Sequence, residues 1–322
     1  MFEALRSRFM LIVGLIALVV SGKQIHAADV TINVGMKKQI IDGFGASSAW
    51  CGKMSAKANN HLYSTLGFSI LRLRVDETEP NWEKASGSNC AIWNKELSNA
   101  KAAKAAGATV FATPWNPPPS LRITKGTSDA AYVIDPAKFA GYRDYLNIYV
   151  KYFKDNGVNL DAIAVQNEPD YAEGWTKWTP AQVHDFVVDY GASINTKLIS
   201  AESFSFLKNM YDPILNDPKA LENVDIFGAH FYGTPVANYA YPLFEQKGRP
   251  LGKKLWMTEH FLNRDDNISK TILPIGKEIH DCMVTGNFNA FVYWWIFHNE
   301  GILADADSTP NKRGYTIAQF AK

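Results

Sequence analysis

The chain has 322 residues, 47% hydrophobic and 20% charged, enough to bury a substantial core in one large domain. Lys+Arg 33 against Asp+Glu 32 leaves a formal charge of +1, which supplies no global field for nucleic acid or an anionic membrane and suits a neutral substrate. Three cysteines, Cys51, Cys90 and Cys282, are too few for a disulfide framework and lack the CxxC spacing of a metal site.

In chain order, the first segment reads as an export signal covering residues 1–28. Arg6 and Arg8 precede an apolar run from Phe9 to Val20, too short to span a bilayer comfortably, and small residues follow at Ala27-Ala28. The mature chain is therefore expected to be secreted, with no membrane attachment after cleavage. Residues 29–40 follow as a separate piece, in which Asp29 to Val34 alternates like a strand without an obvious partner.

From residue 41 to 322, strand-like and helix-like segments alternate. The strands are Ile41 to Ala46, Ile70 to Val75, Thr109 to Thr113, Ala162 to Val165, Leu198 to Ala201, Ile226 to His230, Lys254 to Met257 and Ala290 to Trp294. Each is short and apolar on both faces, as parallel strands covered by helices are. Between them, Lys95 to Ala106 is an Ala-rich helix closed by Gly107. A second helix opens at Asp135-Pro136 and repeats Phe139, Tyr142, Leu146, Tyr149 and Phe153 on one face; a third opens at Thr179-Pro180. An eighth helix is under way at Gly314 to Lys322. Eight such units predict an α/β fold of the (β/α)8 TIM barrel type; a doubly wound sheet fits less well because no GxGxxG follows the first strand. Cys51 and Cys90 fall in predicted loops and are free to pair after export, whereas Cys282 sits on a helix as a small hydrophobe.

Catalytic groups in such barrels come from the C-terminal ends of strands. Val165-Gln-Asn-Glu-Pro-Asp170 ends the fourth strand with Glu168, and Leu255-Trp-Met-Thr-Glu-His260 ends the seventh with Glu259. Two carboxyl groups converging on one bond are the requirement of glycoside hydrolysis, and about 5 to 5.5 Å between them marks the retaining form. Pro169 is expected to hold Glu168 extended, with Asn167 beside it able to reach a sugar hydroxyl. Glu259 approaches through an apolar run, so burial alone raises its pKa; Arg72 and Tyr232 are expected to keep it ionised. His230 is expected to donate a hydrogen bond near that nucleophile. Glu259 and His260 are adjacent on an extended chain and face opposite ways, so no metal is expected, nor any organic cofactor. Trp50, Trp115, Trp294 and Trp295 lie at predicted strand ends, where sugar rings stack.

At these residues the chain resembles glycoside hydrolase family 30, specifically its bacterial xylanase branch. The segments that carry the likeness are Gly43-Phe-Gly-Ala46, Gly67-Phe-Ser-Ile-Leu-Arg72, Thr113-Pro-Trp-Asn-Pro-Pro118, Val165 to Asp170, Gly228-Ala-His-Phe-Tyr-Gly-Thr234 and Leu255 to Glu259. The resemblance implies a retaining endo-β-1,4-xylanase acting on xylan or xylooligosaccharides, with Glu168 as acid/base, Glu259 as nucleophile and xylose contacts from Trp82, Trp115, Tyr232 and Trp295. A monomer is expected. Two departures stand out. The branch holds a glucuronic acid side group with an arginine after the strand-eight tryptophans and with Tyr and Ser in the loop after the nucleophile. Here Trp294-Trp-Ile-Phe-His-Asn299 has no arginine, and Phe261 and Asp265 take the other two places, so strict dependence on glucuronate is not expected. Relatives also carry a β-rich side domain completed by an N-terminal strand, which leaves Asp29 to Val34 unpaired here. The competing readings are another family 30 glycanase or glycosidase, on glucan or glucosylceramide, and a carbohydrate-binding protein without catalysis.

Overall fold

In the computed structural model, residues 31–127, 130–171 and 173–322 are described. The proposed signal and Asp29-Val30 lie outside them. Residues up to Lys38 form one unit and Gln39–Lys322 another. Among the described residues of the first, Thr31 to Val34 makes no strand, since a strand needs a neighbour to pair its backbone groups, and the chain turns at Asn33 to Met36.

The second unit is built on eight strands: β1 Gly43–Ser47, β2 Ile70–Val75, β3 Thr109–Pro114, β4 Ala162–Ala164, β5 Lys197–Ser203, β6 Ile226–His230, β7 Lys254–Glu259 and β8 Ala290–Tyr293. Each pairs in parallel with the next and β8 closes on β1, Gly43 opposite Ala290, giving a closed barrel. The fold is the expected (β/α)8 barrel. Alternation divides the core in two. Ile70, Phe111, Ala162, Ala164, Ile199, Ile226, Trp256, Ala290 and Val292 fill the interior. Residues of opposite parity, such as Leu71, Leu73, Val110 and Ala112, join a larger core with the helices outside.

The helices begin where local chemistry permits. Asp135 accepts from the Ala137 N–H ahead of the helix Phe139–Asp155. Thr179 and Gln182 form a reciprocal cap ahead of Pro180–Tyr190. Against expectation, a small sheet of Arg122–Thr127, Ala130–Ile134 and Thr176–Lys177 stands beside the barrel mouth. Cys51 and Cys90 are both free, so the suggested pairing is not made, and Cys282 is buried on the helix Leu273–Val284. Among the described residues no helix is long and apolar enough to cross a membrane.

Candidate active site

Inward-facing residues change character toward the C-terminal ends of the strands. Two positions beyond Ile70 comes Arg72, two beyond Phe111 comes Thr113, and four beyond Ile226 comes His230, so one pleat carries apolar groups below and polar groups above. Strict alternation would turn Glu259 outward with Leu255 and Met257. A bulge prevents this: Met257 lies opposite Ala229 and Glu259 opposite His230, so the extra residue re-aims Glu259 into the barrel. His260 accordingly leaves the site and meets Glu278 of the outer helix at 2.8 Å, which is the opposition of adjacent side chains expected from the sequence.

Glu168 reaches the same place by another route. Its φ is +43°, in the left-handed region, so the extended geometry expected from Pro169 is not adopted. Such a conformation costs a non-glycine residue about 1–3 kcal/mol and persists only where neighbours hold it. Here the Glu168 N–H donates to the Glu202 carbonyl at 3.1 Å, the Asn167 N–H to Pro114 at 2.8 Å, and Tyr171 N–H returns to Glu168 O at 3.0 Å. Those tertiary bonds outweigh the local preference set by the proline.

Both carboxylates are nearly enclosed, Glu168 4% and Glu259 5% exposed. With His230 they place one ligand-capable atom each within 4.8 Å of one another. The oxygens are already engaged by hydrogen-bond donors. Arg72 Nη1 donates to Glu259 Oε2 at 2.5 Å and Tyr232 OH to Glu259 Oε1 at 3.0 Å. His230 Nδ1 meets Glu168 Oε1 at 2.9 Å, and Trp175 Nε1 donates to Glu168 Oε2 at 2.9 Å. The His230 bond thus goes to Glu168, in a group of three side chains whose ligand-capable atoms, that of Glu259 included, all lie within 4.8 Å of one another. Arg72 Nη2 also donates to Asn167 Oδ1 at 2.7 Å, leaving Asn167 Nδ2 a buried donor without a protein partner.

Burial pushes the Glu259 carboxyl above its ordinary range, and His230 and then Arg72 only partly offset this. For His230 burial pulls the other way, but the charge of Glu259, the bond to Glu168 and the nearby Glu202 carboxylate reverse it and push the imidazole up to about 9. The ring is thus a cation at neutral pH, set among acidic groups.

Aromatic rings wall the mouth. Trp50, 41% exposed and at φ +58°, packs on Trp115 at 5.0 Å, Trp294 at 6.0 Å, Trp175 at 6.3 Å and Trp295 at 6.4 Å. Trp294 and Trp295 stack at 4.8 Å, and Trp115 lies under the Arg72 guanidinium at 4.6 Å. Tyr232 stacks on Phe204 at 4.9 Å. Trp82 is elsewhere: it packs edge-on against Tyr145 of an outer helix at 5.2 Å and shares no ring contact with these tryptophans among the described residues. Two residues at the centre, Trp175 and Glu202, were not singled out from the sequence. Glu202 ends an apolar run much as Glu168 and Glu259 do, and that signal was available; Trp175 sits in an aperiodic loop and had none.

A (β/α)8 barrel with two enclosed carboxylates facing each other at its C-terminal mouth, ringed by tryptophan, defines a barrel glycoside hydrolase. Comparison with known proteins agrees. The chain is 45% identical over 308 residues to the glucuronoxylanase XynC of Bacillus subtilis (strain 168), covering 92% of this chain and 70% of that protein. A GH30 endoxylanase from Clostridium papyrosolvens C71 superposes with a TM-score of 0.85 at 52% identity, covering 91% of this chain and 75% of the other. The family 30 subfamily 8 xylanase Xyn30A from Clostridium acetobutylicum gives 0.82 at 42% identity, over 90% and 73%. A scan against protein-family models matched none. The chain belongs to glycoside hydrolase family 30.

Proposed function

We propose that the protein is an endo-β-1,4-xylanase that cleaves xylan by double displacement, with Glu259 as nucleophile and Glu168 as acid/base. The observation that carries this reading is that one oxygen of each carboxylate lies within 4.8 Å of the other, which supports the close spacing of retaining enzymes, about 5–5.5 Å, over the about 6.5–9.5 Å that inverting enzymes need for an intervening water. In the first step a Glu259 oxygen bonds to the anomeric carbon, the glycosidic C–O bond breaks, and the Glu168 proton goes to the departing oxygen. In the second, Glu168 takes a proton from water as that water attacks the same carbon, and Glu259 is released.

The remaining groups have roles in that sequence. Arg72 and Tyr232 hold Glu259 by both oxygens and leave it aimed. Asn167 Nδ2, buried and unpartnered, is a donor for a sugar hydroxyl. Trp50, Trp294 and Trp295 offer apolar faces to xylose rings, with the buried Trp115 packed against Trp50 and Arg72. Trp82 is assigned to packing against Tyr145 rather than to the substrate.

Substrate choice follows from the loops. Ile296 to Asn299 contains no arginine, and in the loop Phe261 to Asn267 the largely exposed Arg264 is turned by its Nε toward Glu300 at 2.6 Å. Asp265 is turned into its own loop, accepting from Asn267 N–H at 3.0 Å and from Thr271 Oγ1 at 2.5 Å. The stretch after the strand-eight tryptophans therefore supplies no bidentate cation for a uronic acid, which supports cleavage without strict glucuronate dependence. The basic, apolar and small-residue pattern at the N-terminus supports secretion, fitting a polymeric substrate. Replacing Glu259 by Gln should abolish turnover while xylan binding persists; undiminished turnover would reject the mechanism.

A further inference from the structure

Between the two proposed catalytic carboxylates lies a third that this mechanism does not use. Glu202 is fully buried at the end of β5. It is the extra residue of a second bulge, with Ala201 opposite Gly228 and Ser203 opposite Ala229, and its φ is +52°. The bulge swings its side chain into the barrel. Room is made by Gly228, where an added Cβ would sit 2.8 Å from Glu202 Cγ and 2.9 Å from Ile199 Cγ2. Glu202 Oε1 lies 3.4 Å from Arg72 Nη2 on one side and 3.8 Å from His230 Nε2 on the other, and its backbone carbonyl receives the Glu168 N–H.

We propose that Glu202 is a positioning residue for the hydrolysis, a buried counter-ion that anchors both Arg72, which holds Glu259, and His230, which holds Glu168. The inference rests on the assignment of Glu168 and Glu259 above. Without Glu202 the core of the mouth has two cations and two carboxylates. With it, three carboxylates face two cations, and the surplus negative charge favours keeping the proton on His230. The charged groups facing His230 are Glu168 after β4, Glu202 from β5 and Glu259 from β7, with Tyr232 edge-on at 6.2 Å, and Arg72 from β2 reaches Glu202 and Glu259. Burial raises the Glu202 carboxyl, but Arg72 and then His230 bring it net below its ordinary value, so it is the anion this role requires.

The test uses the whole chain carrying Glu202→Gln. Loss of one buried negative charge should move both limbs of the kcat/KM profile on xylooligosaccharides to lower pH, by about one unit, because Glu259 loses a like-charged neighbour and His230 loses an opposite charge that holds its proton. Glu202→Asp should bring the limbs part of the way back. A variant with a lower profile whose limbs stay in place would reduce Glu202 to a structural role and overturn the proposal. Where Glu202→Gln does not fold, nitrogen NMR of labelled histidine in the unaltered protein decides: an imidazolium signal for His230 at neutral pH supports the counter-ion, and a neutral ring overturns it. Failure of the double-displacement reading is separable, since it shows as turnover by Glu259→Gln and leaves the His230 signal unchanged.

Discussion

Arg72→Met removes the guanidinium while keeping much of its stem. In the intact site that group reaches Glu259 at 2.5 Å, Asn167 at 2.7 Å, Glu202 at 3.4 Å and Thr113 at 3.3 Å, with no exposed surface of its own. The variant strands two buried carboxylates. Breaking one partner of a buried ion pair costs about 3–5 kcal/mol, and domains somewhat smaller than this one lose about 2–4 °C of melting temperature per kcal/mol, so a fall on the order of 10 °C is expected. A second signature separates electrostatics from packing. Arg72 opposes the burial that raises Glu259, and an adjacent opposite charge moves a carboxyl by about 1–3 units, so its loss should carry the acid limb of kcat/KM upward by about that many pH units. The assay is a pH–rate profile on xylooligosaccharides beside a thermal melt, with Arg72→Lys as the charge-retaining control, whose acid limb should move less. An acid limb in its original place, or a melting temperature within about 2 °C of the unaltered protein, would refute the claim that Arg72 holds and ionises Glu259.

Gly228→Ala should lower stability by about 1–3 kcal/mol, because the new methyl meets Glu202 and Ile199 below 3.0 Å; an unchanged urea midpoint would show that the barrel absorbs it. Glu96 is buried behind Ser48, and burial pushes its carboxyl up to about 7 from 4.5, against the bonds from Ser48 and Asn99. Its folded pKa is raised, so its contribution to stability is complete below about 4.5 and is lost as pH rises through about 7; the denaturation midpoint should fall more steeply across that interval than in Glu96→Gln, and equal slopes would contradict this. Rates on glucuronoxylan and on unsubstituted linear xylooligosaccharides should agree within about tenfold, since Ile296 to Asn299 contains no arginine to clamp a uronic acid. Activity confined to glucuronoxylan would overturn that expectation.

The barrel was readable because its strands are apolar on both faces and each is punctuated by Gly, Pro or charge. The strands Ile70–Val75 and Ile226–His230 match their predicted limits. What escaped was set by tertiary contact. A bulge leaves no mark in composition, so the inward turns of Glu259 and Glu202 depend on register with β6. Glu168 takes a left-handed backbone against the bias of Pro169 because three hydrogen bonds from distant and local residues hold it there. The Trp175 contact follows from the small sheet ending at Thr176–Lys177, whose strands are short and only weakly patterned. Trp82, in the loop after β2, suits a sugar contact by position, and what the sequence does not reveal is its edge contact with Tyr145.

The double displacement itself is tested most directly by trapping. A fluorinated xylobioside with a good leaving group slows breakdown of a glycosyl-enzyme more than its formation, and peptide mapping then locates the bond. The sugar is predicted on Glu259, in the peptide Leu255 to His260, with Glu168 unmodified. A label on Glu168 or Glu202, or rapid hydrolysis with inversion at the anomeric carbon and no adduct, would contradict the account.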